Sequence, residues 1–288
     1  MKNKHFGKKI VSTICAISTI SMLSLPAFAS TKTSSQPYVE SDTTVNFTLD
    51  QGKTYAYKMT VHGTHANPHI VAGNGNVLRT ESVSHTTQNG NDVYYFKIRA
   101  IGKQGQATGV YTTLPNQNSV RHSDITIPYH AGTYYVGTDI PAGQYVMTPN
   151  IKYQEGYYFI KNYKRALISS GIVDCDKFMI REYTTVQNGD KLELDYATMI
   201  PSNNAGKLLP YKDDLYNPAE YKIGFDIPAG TYTIHYLDSG SHYAIRSSDS
   251  HLSYANAIDS RYISSDTNIT VKNGEYLKLT DCVLSPTD

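Results

Sequence analysis

Three histidines, His62, His65 and His69, fall within an eight-residue stretch, and His85 lies downstream. Imidazole is a common zinc ligand, and zinc asks for three or four ligands in fixed geometry. The spacing closes around a metal if Pro68 folds the loop back. The competing reading is a solvated connection between strands, since no Cys or carboxylate lies inside the cluster. Two acid pairs, Asp174-x-Asp176 and Asp213-Asp214, raise other chemistries. Paired carboxylates serve glycoside hydrolysis when set across a cleft, and they hold calcium when further oxygen ligands and a turn glycine join them. Neither pair has that company, so both read as solvated loops. Cys175, between two of these acids, would have its thiol pKa raised, which is the opposite of activation. The chain carries no Gly-x-Ser-x-Gly elbow, no Gly-rich phosphate loop and no His-Glu-x-x-His. No catalytic residue is assigned, and no cofactor is called for.

Aromatic side chains leave a binding chemistry open. The chain has 25 Tyr and no Trp. Tyr153, Tyr157, Tyr158 and Tyr163 cluster in one stretch, and Tyr236, Tyr243 and Tyr254 in another. Ring faces stack on sugars, which makes these residues the candidate ligand-binding set. The alternative is that tyrosine simply occupies strand positions, for which it is well suited.

Charge and targeting narrow the partners. Residues 1–29 have a lysine-rich start, an apolar stretch from Ile10 to Leu25 and Ala27-Phe28-Ala29 after Pro26, the pattern of a secretory signal cleaved after Ala29. The apolar stretch is too short and too polar for a membrane anchor. Without the four lysines of that segment, 22 Lys and Arg face 25 acids, a net −3 spread without blocks. That balance excludes a nucleic-acid partner, which needs a clustered basic face. It also excludes electrostatic docking on an anionic membrane. Cys175 and Cys282 remain in the mature chain, either as a disulfide joining two repeats or as two small half-buried hydrophobes.

Period-two alternation organises the mature chain. Residues 30–42 read as a disordered polar leader. Across 43–128, Val45, Phe47 and Leu49 share a face, as do Tyr55, Tyr57, Met59 and Val61, and then Tyr94, Phe96, Ile98 and Ala100. Short alternating runs punctuated by Asn89-Gly90, Gly102, Gly105 and Gly109 predict antiparallel strands in a sandwich of immunoglobulin-like size. The strings Thr43-Thr44-Val45-Asn46-Phe47-Thr48-Leu49 and Gly52-Lys53-x-Tyr55-x-Tyr57-Lys58, with the strand-and-glycine run from Gly90 to Tyr111, resemble a module of secreted clostridial and related Gram-positive proteins. Such modules accompany cell-wall-lytic hydrolases as non-catalytic Ig-like appendages, so the resemblance implies a fold and no active residue.

The remainder is a duplication. Gly137-Thr-Asp139-Ile-Pro-Ala-Gly143-Gln-Tyr145 returns 87 residues later as Gly224-Phe-Asp226-Ile-Pro-Ala-Gly230-Thr-Tyr232. Further on, Asn188-Gly189 and Leu192-x-Leu194 return after 85 residues as Asn273-Gly274 and Leu277-x-Leu279. The two copies, 129–208 and 209–288, are each one folding unit, with a two-residue deletion in a loop. Asp139 and Asp226 read as Asx-type acceptors for the turn backbone. The Asn-Gly pairs read as type I′ hairpins. The repeat resembles a small Gly-x-Asp-Ile-Pro-Ala-Gly-x-Tyr domain of exported or membrane-associated Gram-positive proteins, which implies a β-domain at the cell envelope. The expectation is an all-β chain: an Ig-like β-sandwich, then two tandem homologous small β-sandwich or barrel domains. The expected function is a secreted, non-catalytic envelope protein whose ligand is cell-wall glycan or a surface protein. The competing readings are a hydrolase centred on the His62–His69 loop and a ligand-free spacer.

Overall fold

In the computed structural model of the chain, the described residues are 36–151, 154–166, 169–210, 214–252 and 256–287. The expected signal segment, Tyr153, Asp213 and Tyr254 lie outside them. The described residues form strands and turns, with a 3₁₀ turn at Ser202–Asn204. Among them no helix is long and apolar enough to cross a membrane.

Six sheets pair into three sandwiches. In the first, β1 (Tyr38–Ser41), β3 (Thr54–His62), β6 (Asn91–Ala100) and β5 (Leu78–Gln88) are ordered β1-β3-β6-β5. Facing them are β2 (Phe47–Thr48), β8 (Val120–Thr126), β7 (Ala107–Thr113) and β4 (His69–Ala72). The alternation places Tyr57, Met59, Val61, Phe96, Ile98 and Ala100 in one buried cluster. Two expectations change here. Tyr38–Ser41, expected in a disordered leader, is an edge strand paired with Met59–His62. Val45 does not join Phe47: it is exposed in a bend, because the chain crosses there between sheets and pairs only at Phe47 and Thr48, in parallel with β8.

The two repeats have the same seven strands. In the first, β13 (Glu182–Val186), β10 (Gly143–Pro149) and β15 (Ala197–Pro201) make a three-stranded sheet. It faces β12 (Ile172–Phe178), β11 (Gly156–Lys161), β14 (Lys191–Asp195) and β9 (Gly132–Tyr135). In the second, β20 (Thr267–Val271), β17 (Gly230–Tyr236) and β22 (Cys282–Pro286) face β16 (Glu220–Lys222), β21 (Tyr276–Thr280), β18 (His242–Arg246) and β19 (Ala257–Tyr262). Tyr145 pairs with Pro201 and Tyr232 with Pro286. Tyr158 pairs with Leu194 and Tyr243 with Leu279. Those registers put the two-residue deletion between β10 and β11, in a loop.

The duplicated motif is a corner that carries the chain from one sheet to the other. Gly137 N–H donates to Ile140 O at 2.8 Å, and Gly224 N–H to Ile227 O at 2.7 Å. Asp139 Oδ2 accepts from Tyr135 N at 2.7 Å and Asp226 Oδ2 from Lys222 N at 2.9 Å, the Asx arrangement. The closing tyrosine reaches back: Tyr145 Oη donates to Pro141 O and Tyr232 Oη to Pro228 O, each at 2.8 Å. Proline cannot donate from its nitrogen, but its carbonyl remains free to accept, and the tyrosine satisfies it from below.

The Asn-Gly pairs are not hairpins. Strands β13 and β14 lie in opposite sheets, as do β20 and β21. Gly189 and Gly274 have positive φ but Asn188 and Asn273 do not, whereas a type I′ turn needs both. Asn89-Gly90, with both residues at positive φ, is the true hairpin of that kind, joining β5 to β6. The Asn-Gly corner instead docks on the Asp-Ile-Pro-Ala-Gly corner. Gly189 N–H donates to Val136 O and Gly274 N–H to Ile223 O, each at 3.0 Å. Gly224 has φ +88°, and a Cβ there would stand 2.8 Å from Asn273 Oδ1. Gly224→Ala is therefore expected to lower the unfolding free energy of this repeat by about 1–2 kcal/mol from the backbone alone, read from urea unfolding. Gly75→Ala, where a Cβ would have open space, is the neutral control.

Candidate functional site

The three loop histidines, His62, His65 and His69, do not converge. His62 Nε2 bonds Glu40 Oε2 at 2.8 Å and its ring stacks on Tyr38. His65 Nδ1 lies 2.8 Å from Asp92 Oδ2, and His85 Nε2 lies 2.8 Å from Asp92 Oδ1. His69 begins β4, exposed and paired with Thr113. The loop is a connection whose imidazoles each find a different carboxylate or solvent, because β3 and β4 belong to opposite sheets.

The tyrosine set also divides. Tyr157 is half-buried on the outer face of β11 and donates to Glu155 Oε2 at 2.7 Å. Tyr163 and Tyr236 are exposed. Tyr158 and Tyr243 are core residues, fully buried at equivalent positions, so no ligand reaches their rings. The alternation that turns Tyr157 outward turns Tyr158 inward.

Where the structure does gather chemistry is between the two repeats. The outer face of the first repeat's three-stranded sheet covers the outer face of the second repeat's four-stranded sheet. Val146, Tyr183, Ala205 and Tyr276 form the small apolar patch of this contact, with Ile200 against it. Gln144 donates to Asp249 Oδ2 and to the Tyr276 hydroxyl, and accepts from Lys222 Nζ, at 2.7–2.8 Å. Arg181 Nη1 donates to Asp226 Oδ1 and Tyr183 Oη to Asp226 Oδ2, both at 2.6 Å. The motif aspartate of the second repeat thus does more than its counterpart Asp139. It closes its own turn and binds the first repeat.

Beside this patch lies a cluster of six titratable side chains. Asp174 and Asp176 point inward from the edge strand β12. They are not in a solvated loop: β12 pairs along β11 and the second repeat caps its open edge. His251, on the β18–β19 connection, inserts there with its backbone N–H donating to Asp174 Oδ1 at 2.9 Å. Its Nε2 lies 2.7 Å from Glu182 Oε1, 3.1 Å from Glu220 Oε1 and 3.7 Å from Asp176 Oδ2. Lys278 Nζ donates to Asp176 Oδ2 at 2.6 Å and Glu182 Oε2 at 2.8 Å. The His251 side chain is 3% exposed and those of Glu182 and Glu220 are 0% exposed.

This packing sets the electrostatics. Burial alone would raise the Glu182 carboxyl, but Lys278 and His251 outweigh it and hold it well below the usual carboxylate range. Burial, with the Glu182 charge next to it, pushes the Glu220 carboxyl up. Burial works against a charged His251 ring, yet Glu182 and Glu220 raise its pKa well above the ordinary imidazole value. Burial and then the two flanking aspartates raise the Cys175 thiol. Both Cys175 and Cys282 are free thiols, the second buried in its repeat's core.

No protein-family model and no curated protein matches this chain. Among the solved structures that align with it in part are three bacterial or ectodomain proteins. The adhesin InvE of Yersinia pseudotuberculosis is 11% identical over 59% of this chain, with TM-score 0.25, and the chain spans 56% of that structure. The Bacteroides ovatus mixed-linkage glucan utilization locus protein SGBP-B, in complex with a mixed-linkage heptasaccharide, is 8% identical over 82% of this chain and 71% of its own, with TM-score 0.21. The D1–D4 ectodomain fragment of ICAM-5 is 11% identical over 88% and 69%, with TM-score 0.23.

Arg181→Ala would leave the fully buried Asp226 carboxylate without its cation. The expected loss is about 3–5 kcal/mol of stability in the repeat pair, measured by denaturant unfolding. Adding Asp226→Asn to that variant should recover part of the loss, since the orphaned charge is then gone.

Proposed function

We propose that this chain is an exported, non-catalytic envelope protein that binds cell-wall glycan through the outer face of the first repeat's four-stranded sheet. The observation that carries this reading is the contrast between two sets of reactive groups. The residues with acid–base potential, His251, Glu182 and Glu220, are sealed inside the joint, where no polymer chain can approach them. The exposed aromatic groups lie instead on an open sheet face. Tyr135 on β9 and Phe159 on β11 are exposed there, with Tyr157 half-buried beside Phe159. Between them runs a ladder in which Glu193 accepts from both Lys161 and Lys191 at 2.6–2.7 Å. Lys191 also lies within electrostatic reach of Tyr135 and Tyr163. Flat rings interleaved with hydrogen-bonding groups suit a sugar polymer, whose faces are apolar and whose rims are hydroxyls.

The sheet pairing supports this choice of face. The equivalent face of the second repeat, around Lys222, Tyr276 and Lys278, is covered by the first repeat. The first repeat's own copy of that face is open. The test is retention on purified Gram-positive cell walls. The chain is expected to be retained, and the triple variant Tyr135→Ala, Phe159→Ala, Tyr163→Ala to bind about tenfold more weakly or worse, since aromatic contacts contribute roughly 0.5–1.5 kcal/mol each beyond their area. Retention that is lost after protease treatment of the walls would instead indicate a surface protein as ligand. Release of soluble fragments from labelled walls would overturn the non-catalytic reading.

A further inference from the structure

We propose that the joint between the repeats is a site for one divalent first-row transition ion, held by His251 Nε2, Glu182 Oε1 and Asp176, with Glu220 Oε1 as a fourth ligand. The ligand atoms offered by Asp176, Glu182 and His251 all lie within 4.8 Å of one another. Metal–ligand bonds near 2.0–2.2 Å set tetrahedral ligand atoms about 3.3–3.6 Å apart. The distances from His251 Nε2, at 2.7, 3.1 and 3.7 Å, bracket that spacing.

Two further observations point to a cation. The first is Glu182 Oε1, a fully buried carboxylate oxygen that receives no well-directed hydrogen bond. It stands 2.7 Å from His251 Nε2, but the Nε2–H direction serves Glu220 Oε1. Lys278 occupies the other oxygen, Oε2, and leaves Oε1 facing the imidazole. The second is the orientation of the ring. Tyr158 Oη lies 2.8 Å from His251 Nδ1 and donates to Asp174 Oδ2 at 3.1 Å. Tyrosine has one proton to give, and the carboxylate can only accept. Nδ1 therefore carries a proton toward the tyrosine oxygen. With Nδ1 so committed, Nε2 is the ring atom that faces the three carboxylates, and a dication taken up there displaces its proton, as metal binding to imidazole requires. The chain His–Tyr–Asp is also the outer arrangement that fixes a ligating imidazole.

The charge count agrees. Asp174, Asp176, Glu182 and Glu220 converge with Lys278 as their one permanently charged partner in the cluster. A dication offsets most of the remaining negative charge. One nitrogen with two or three oxygens suits zinc or manganese better than calcium, which takes oxygen ligands throughout. A groove of about 240 Å³, lined in part by Asp174, Thr185, Asp249 and Ser250, opens beside the cluster.

The test uses the whole chain, freed of metal with chelator and then dialysed against zinc chloride. The expected result is one zinc per chain by elemental analysis. Zinc at a hundred times its dissociation constant should raise the melting temperature of the repeats by about 5–10 °C, with calcium chloride giving no such rise. His251→Gln and Glu182→Gln should each abolish the zinc-dependent rise, while His65→Ala in the first sandwich leaves it intact. Wild-type protein that binds no zinc or manganese, and melts at one temperature with and without them, overturns the proposal whatever the variants do. So does undiminished zinc uptake by folded His251→Gln.

Discussion

Four carboxylates, one imidazole and one ammonium meet where the two repeats touch, and this burial of charge is the constraint on which the arrangement of the C-terminal half rests. A buried ionic set contributes little net stability compared with apolar residues of the same volume, yet breaking it from one side is costly. Its effect is on specificity. The apolar part of the contact is small, being Val146, Tyr183, Ala205 and Tyr276. Such a patch alone would tolerate sliding. The hydrogen bonds from Arg181 and Tyr183 to Asp226, and from Gln144 to Asp249, allow one register only.

The same repeat framework carries two separable roles. One is common to both copies: the Asp-Ile-Pro-Ala-Gly corner, its tyrosine bond to the proline carbonyl, and the Asn-Gly corner docked against it. The Tyr158–Asp174 pair and its counterpart Tyr243–Asp259 belong to this framework as well. The other role belongs to the positions that differ. By the strand registers Lys278 answers Glu193 and Glu220 answers Thr133, and in connecting loops of equal length His251 answers Ala166. These substitutions turn one copy's outer face into a docking surface and leave the other copy's face open.

Much of the fold is legible from alternation. Leu192, Leu194, Leu277 and Leu279 are buried where period two puts them, and, Val45 apart, the strand runs of the first sandwich hold their faces. Local signals mislead where a turn joins opposite sheets. Asn-Gly names a turn but not its sheet, so Asn188 and Asn273 look like hairpin residues in the sequence and are corner residues in the fold. The candidate site is hardly legible. His251 sits in a Ser-rich stretch with no partner nearby in sequence, and its contacts come from residues 31 to 93 positions away. Asp174 and Asp176 are visible as a pair, and their alternation with Cys175 on a strand is the available clue that both point to one side. Nothing local says that another repeat's loop will cover them.

The divergence between the copies also bears on how the chain reaches its native state. Tandem homologous domains risk exchanging equivalent strands as they fold, since each copy offers the other a matching partner. Here a swapped strand would carry the wrong charges: β14 in place of β21 would set Glu193 where Lys278 meets Asp176 and Glu182. The mismatch would gather acids with no cation among them. Charge at the joint thus acts as a proofreading device, rejecting the misassembled chain that the shared framework would otherwise accept.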